Sequence, residues 1–281
     1  MTTLNCNGRL LVLDRPLIMG ILNATPDSFF AESRVNSVQQ AVDTAGQMLA
    51  DGATFIDVGG MSSRPGAELI SAAAEMDRVL PIIEGITAAL PDAYVSCDTI
   101  YGATARAAVG AGAAMINDIS AGNLDAELFP TLPALKVPYV LMHMPGNPAD
   151  MQKRTDVYGD QVVTHVWDFL AAKLGELREL GVFDVLVDVG WGFGKTVAQN
   201  YELLANLSVF KTLGVPILLG ISRKSSIWRP LGITAEESLP ANTALHLYAL
   251  QRGADVLRVH DVREAAQAIQ LHELLTQAPR I

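Results

Sequence analysis

The chain has 281 residues, half of them hydrophobic but only 6% aromatic, and a formal charge of −10. That length fits one α/β barrel of roughly 250 residues with an aliphatic core. No apolar run reaches the roughly 18 residues of a membrane span, no basic cluster marks a nucleic-acid face, and the two cysteines, Cys6 and Cys97, exclude a disulfide framework or a multi-cysteine zinc site.

Met1–Asp14 lacks a charged segment followed by an apolar stretch, so no secretory signal is expected and a reducing cytoplasm is the expected location. Leu4-Asn5-Cys6, Asn7-Gly8 and Leu10–Leu13 read as a hairpin with a tight Asn-Gly turn. Eight candidate strands follow: Leu17–Leu22, Phe55–Val58, Tyr94–Asp98, Met115–Asp118, Tyr139–His143, Val185–Asp188, Ile217–Gly220 and Val256–Val259. Their near-continuous apolar runs fit parallel strands buried on both faces. Between them the spacing predicts helices over Ser37–Asp51, Ser71–Leu90, Ala103–Gly110, Tyr158–Leu180, Tyr201–Phe210 and Ala241–Arg252. Gly52, Gly112, Gly181 and Gly253 close helical stretches. Eightfold alternation predicts an α/β fold, a single (β/α)8 TIM barrel spanning 1–281, with an open doubly wound sheet as the alternative. The hairpin is expected to cover the barrel bottom.

In such a barrel the working groups gather at the C-terminal strand ends. There the sequence places Asn23, Asp98, Asn117, Met142-His143, Asp188 and Arg258-Val259-His260. The loops that follow carry Ser63-Arg64-Pro65, Phe193 and Ser222-Arg223-Lys224-Ser225. Asp98, Asn117 and Asp188 make a polar floor. Carboxylates can accept paired N–H bonds and an amide can donate and accept, which suits a flat, nitrogen-rich ring. The cations Arg64, Lys224, Arg258 and His260 can together hold a phosphate or carboxylate against an acidic overall field.

At these residues the chain resembles the dihydropteroate synthase family. The matching blocks run in order along almost the whole chain: Ile18-Met19-Gly20-Ile21-Leu22-Asn23 with Thr25-Pro26-Asp27-Ser28-Phe29, Asp57-Val58-Gly59-Gly60 with Arg64-Pro65-Gly66-Ala67, Asn117-Asp118-Ile119, Met142-His143-Met144, Gly192-Phe193-Gly194-Lys195, Ser222-Arg223-Lys224-Ser225 and Arg258-Val259-His260-Asp261-Val262. The resemblance implies condensation of 6-hydroxymethyl-7,8-dihydropterin diphosphate with p-aminobenzoate, with Mg2+ as cofactor, small molecules as the only partners besides a second copy in a homodimer, and no nucleic acid or membrane. It implies that Asp98, Asp188, Lys224 and Arg258 are catalytic. Pterin would be held by Asp98, Asn117, Asp188, Lys224, Met142, Phe193 and Arg258. Pyrophosphate would lie by Asn23, Ser63, Arg64, Arg258 and His260. p-Aminobenzoate would lie by Ser63, Pro65, Phe193, Lys224 and Ser225, with Asn23 the metal ligand.

The chain departs from the family pattern at Ser63, where Thr is usual, at Val189 and Pro145, at Cys97 and Ala24, and over Phe30–Arg34. The departures fall on the aminobenzoate side and leave the pterin floor intact.

Plainer roles are weighed beside these. Asp98 and Asp188 can cap turns, and Asn117 can be a buried turn residue. Asp57 and Asp118 read as supporting groups paired with neighbouring loops, His143 as a packed histidine, His165 and His272 as surface residues. Gly194-Lys195-Thr196 looks like the end of a phosphate loop, but Val189 stands where its first glycine belongs, so Lys195 reads as a loop cation. Two other functions compete: a methyltetrahydrofolate methyltransferase of the corrinoid-linked kind, and a non-catalytic pterin-binding paralogue.

Overall fold

The computed structural model describes residues 2–24, 34–62 and 66–279. The chain opens with a hairpin of β1 (Thr2–Cys6) and β2 (Arg9–Leu13). Asn7 and Gly8 join them at φ 53° and 81°, the paired left-handed geometry that a two-residue hairpin needs. Then come β3 (Leu17–Asn23), α1 (Arg34–Ala50), β4 (Phe55–Gly59), α2 (Ala72–Ala89), β5 (Tyr94–Asp98), α3 (Gly102–Gly110), β6 (Met115–Asp118) and α4 (Leu128–Leu135). They are followed by β7 (Tyr139–Met142), α5 (Val162–Glu179), β8 (Val185–Asp188), α6 (Val197–Ala205), β9 (Ile217–Leu219), α7 (Ser225–Leu231), α8 (Leu239–Gln251), β10 (Val256–Val259) and α9 (Val262–Gln277).

Strands β3 to β10 close into a parallel eight-stranded barrel, with β10 pairing β3. The closed barrel decides against the open sheet. The expected strands are all present with ends shifted by at most one residue: β3 and β4 each run one further, and β7 and β9 each stop one sooner. The helices differ more. The pattern from Tyr201 begins at Val197 instead, because Thr196 and Gln199 cap each other reciprocally, and the chain after Ala205 tightens into a 3-10 turn over Leu207–Leu213. Likewise α5 begins at Val162 and not Tyr158, after a 3-10 turn over Thr155–Tyr158.

Side chains alternate along a strand, and that alternation sets the site. Leu17, Met19, Phe55, Met115, Val140, Leu186, Leu218 and Val256 pack together inside the barrel. Two residues further along β4, β6, β7, β8 and β10 stand Asp57, Asn117, Met142, Asp188 and Arg258. The same period that builds an apolar interior therefore points these groups into the next layer up, at the mouth. The opposite faces of the strands pack against the helices in a larger aliphatic cluster that includes Ile56, Val58, Val95, Ile116 and Leu257.

Leu4 and Cys6 of the hairpin join the inner cluster from below. The hairpin also bonds the segments that lead into strands. Asn5 N–H donates to Asp184 Oδ2 at 2.9 Å, Asn7 Nδ2 to Ala113 O at 3.2 Å, and the Arg9 guanidinium to Pro91 O and Ala93 O at 3.1 and 2.6 Å. The hairpin thus covers the barrel bottom, as expected. Among the described residues no helix is long and apolar enough to cross a membrane.

Candidate functional site

At the mouth one guanidinium organises the floor. Arg258 at the end of β10 donates from Nε to Asp57 Oδ2 at 2.6 Å and from Nη2 to Asp98 Oδ2 at 2.7 Å. Asn117 Nδ2 donates to the same Asp57 oxygen at 2.9 Å. Asp57, fully buried, is thus bonded to two mouth residues on strands two places away on either side, Arg258 on β10 and Asn117 on β6. Its Oδ1 is buried without a hydrogen-bond partner among the described residues. Asp118 does support a loop: it accepts from Ser120 N at 2.7 Å, Gly122 N at 2.8 Å and Tyr139 Oη at 2.6 Å.

Glycines make room for these groups. A Cβ at Gly59 would stand 3.4 Å from Asp98 Cβ, and one at Gly220 would stand 3.8 Å from Asp188 Oδ2. Burial pushes the Asp98 carboxyl up to about 7, although the Arg258 charge pulls the other way. Burial raises Asp188 as well, against the Lys224 charge and the Gly190 N–H that donates to Oδ1 at 2.8 Å. Burial also opposes the charge on Arg258, but Asp57 and Asp98 outweigh it and hold the guanidinium charged.

The β8–α6 loop forms one wall. Gly190, Gly192 and Gly194 all take left-handed φ, at 68°, 84° and 61°. Lys224 reaches this wall from the β9–α7 loop. It donates to Trp191 O and lies 4.4 Å from the Phe193 ring centre, a cation–π distance. Burial lowers its pKa to about 7, with Asp188 opposing and Arg258 adding to the fall. Phe193, Met142, Met144, Ile100 and Ile119 make an apolar cluster beside the polar floor. One edge polar and one face apolar is what a flat heterocycle needs.

His260 turns its Nδ1 to Ser222 Oγ at 3.1 Å, and its N–H donates to the same hydroxyl at 3.2 Å. Its outer edge is exposed, yet the mouth walls, then the Arg258 and Arg223 charges, push its pKa down to about 4. That direction favours the neutral ring, which can still donate one N–H to an anion. Asn23 ends β3 with an exposed side chain, in register with Gly59. Ser225 opens α7 on the far side of Lys224, beside a cleft of about 380 Å3 that runs between Gly192 and Arg229.

The structure thus joins Asp98 to Arg258 directly and Asn117 to Arg258 through Asp57, and it sets Asp188, Lys224 and Phe193 around one loop. Ser63, Arg64 and Pro65 lie outside the described residues, as do Thr25-Pro26-Asp27-Ser28 and the Phe30–Ser33 part of the altered loop. Lys195 differs most from expectation. It is not a loop cation in solvent but a buried ammonium enclosed by backbone carbonyls. His143 is the packed histidine expected, 4.8 Å from the Phe169 ring. His165 is exposed, while His272 is half-buried. Sequence reasoning also missed the pair between Arg223 and Asp261, bonded at 2.5 and 3.1 Å, because the two lie 38 positions apart on separate loops.

Residues 19–260 match the family model described as pterin binding enzyme. A dihydropteroate synthase of Synechocystis is 41% identical over 264 residues, which covers 93% of this chain and 90% of that protein. Among solved structures, the dihydropteroate synthase of Xanthomonas albilineans with 4-aminobenzoic acid superposes with a TM-score of 0.89 at 40% identity, covering 99% of each chain. The Yersinia pestis dihydropteroate synthase solved as a sulfonamide drug complex superposes at 0.91 with 37% identity, over 99% of this chain and all of that one.

Proposed function

The chain belongs to the dihydropteroate synthase family of pterin-binding enzymes, and on that premise we propose that it joins 6-hydroxymethyl-7,8-dihydropterin diphosphate to p-aminobenzoate, giving 7,8-dihydropteroate and pyrophosphate. The observation that carries the reading is the buried floor in which the Arg258 guanidinium ties Asp98 to Asp57 and Asp57 holds Asn117, with Asp188 and Lys224 beside an apolar wall. We read residues 1–281 as one pterin-binding barrel unit.

Each residue then has a task. Asp98, Asn117 and Asp188 take the donor-rich edge of the pterin, while Met142 and Phe193 cover its apolar face. The C–O bond to the diphosphate breaks, positive charge spreads over the pterin, and the floor carboxylates stabilise it. Lys224 and Arg258 stabilise the negative charge left on pyrophosphate, with Asn23, Ser63, Arg64 and His260 completing that side. The arylamine nitrogen attacks the exocyclic carbon from a seat by Ser63, Pro65, Phe193, Lys224 and Ser225. No protein nucleophile is required.

Mg2+ belongs to the same reading. Among the described residues no three His, Cys, Asp or Glu side chains gather to hold a metal. Asn23 offers a single amide oxygen at a strand end, which fits an ion that takes few protein ligands and completes its shell with water and substrate phosphates. When bound, the ion supplies charge neutralisation to the departing diphosphate. We also propose that the protein works as a homodimer in the cytoplasm.

Purified protein given Mg2+, the pterin diphosphate and labelled p-aminobenzoate should release labelled dihydropteroate. No product beside an active control enzyme rejects the reading. Pterin binding without turnover would select the non-catalytic paralogue.

A further inference from the structure

Lys195 is 4% exposed and points away from solvent. Its ammonium donates to Gly190 O at 2.9 Å, Phe193 O at 3.0 Å and His143 O at 3.3 Å, and stands 3.0 Å from His143 Nδ1. The partners found for it are backbone dipoles and a ring nitrogen; the nearest influential carboxylate, Asp188, acts on it only through space. A buried ammonium without a bonded counter-ion is costly, so an apolar side chain would serve stability as well or better.

What the ammonium does is local. The loop from Gly190 to Gly194 turns its carbonyls inward because three of its residues are glycines in left-handed conformations. Inward carbonyls repel one another unless a donor sits among them. Lys195 is that donor, and Asn200 completes the arrangement by accepting from Gly192 N–H at 2.7 Å and donating to Lys195 O at 3.3 Å. On its outer side the same loop offers Trp191 O and the Phe193 ring to Lys224. His143, fixed at the end of β7 by its N–H to Asp188 O at 3.0 Å, anchors the far side of the cage.

We propose that Lys195 is a positioning residue that sets Phe193 and Lys224 at the arylamine side of the mouth, while Asp57, Asp98, Asn117 and Arg258 keep their own bonds. The inference rests on the proposed function for the identity of the arylamine. The floor bonds among Asp57, Asp98, Asn117 and Arg258 include neither Lys195 nor the loop it holds. Phe193 and Lys224 also touch the proposed pterin seat, and Gly190 N–H bonds Asp188 at 2.8 Å, so losing the ammonium loosens the arylamine seat most and the pterin seat less. Three protons serve four acceptors, so we assign the long 3.3 Å contact to His143 O as the shared one, which makes His143 Nδ1 an acceptor and puts the ring proton on Nε2.

The test compares wild type, Lys195→Met and Lys195→Gln. In Lys195→Met the KM for p-aminobenzoate should rise by about tenfold or more, several times the loss of pterin affinity read by calorimetry. Lys195→Gln, whose amide still donates to two carbonyls, should recover part of that loss. In 15N-histidine spectra His143 Nδ1 should carry the signature of a bonded acceptor in wild type and move toward an unbonded nitrogen in Lys195→Met. An unchanged arylamine KM in a folded variant, or equal losses for both substrates, overturns the proposal. Should Lys195→Met fail to fold, Lys195→Gln carries the kinetic comparison, and a wild-type His143 Nδ1 without the bonded signature is equally fatal. A wild type without turnover strikes the function reading instead; the 15N spectra then decide the Lys195 cage by themselves.

Discussion

Arg258 bonds two carboxylates that come from different strands: Asp57 on β4 and Asp98 on β5, at 2.6 and 2.7 Å. Asp57 is fully buried, so removing its cation leaves a stranded charge. Arg258→Met should destabilise the fold by about 3 kcal/mol, and adding Asp57→Asn should return part of that loss. Urea unfolding of the two single variants and the double variant checks it; simple additivity would contradict the pairing. In binding, Arg258→Ala should weaken pterin diphosphate more than free pterin, read by calorimetry with each ligand.

The acid–base state of the mouth gives a second expectation. Asp98, raised to about 7, must lose its proton to accept from a pterin edge, so kcat/KM should rise with pH through that region. Lys224, lowered to about 7, must keep its proton to serve a departing anion, so kcat/KM should fall as pH climbs further. The profile should be a narrow bell with its maximum near neutrality. Asp98→Asn should remove the rising limb along with most activity. Lys224→Arg should move the falling limb to higher pH, because a guanidinium stays protonated. A flat profile from about pH 5 to about pH 9, roughly two units either side of the neutral midpoint, would contradict both assignments.

Gly192 is the place where a single methyl should separate folding from chemistry. It sits at φ +84°, and a Cβ there would lie 2.9 Å from Lys224 Cδ. Gly192→Ala should cost about 1–2 kcal/mol from the left-handed backbone and push Lys224 off the Phe193 ring. Kinetics should show a raised p-aminobenzoate KM at temperatures where circular dichroism reports a folded chain. Wild-type kinetics in that variant would mean that the Lys224 seat has slack.

Leu4 should show the opposite behaviour. It is buried in the inner cluster at the barrel bottom, away from the mouth groups. Leu4→Ala should destabilise by roughly 2–4 kcal/mol through the cavity it leaves, while kcat/KM of the folded protein stays within about twofold. Chemical denaturation and steady-state assays below the transition measure the two effects separately.

These cases also show what the sequence reveals. Barrel strands are legible because burial on both faces demands short runs of Val, Ile and Leu, and only their last residues are ambiguous. Asp98, Asn117 and Asp188 are legible for a related reason: a polar group ending such a run has few structural duties. The period-2 relation between Phe55 and Asp57, or Val256 and Arg258, is equally visible, but the bond between Asp57 and Arg258 is not. It spans 201 positions and depends on barrel closure. Lys195 is harder still. A lysine after glycines looks like a solvent-facing cation, and only the left-handed turns of Gly190, Gly192 and Gly194 bring the carbonyls that enclose it. Helix α6 starts early because of a reciprocal cap between Thr196 and Gln199, a signal present in the sequence but weaker than the apolar spacing beyond it.

The hairpin beneath the barrel has one more consequence. With Leu4 and Cys6 beneath a layer already filled by Leu17, Met19, Phe55 and Val256, nothing passes through the barrel axis, and small molecules reach Asp98, Asn117 and Arg258 from the mouth side.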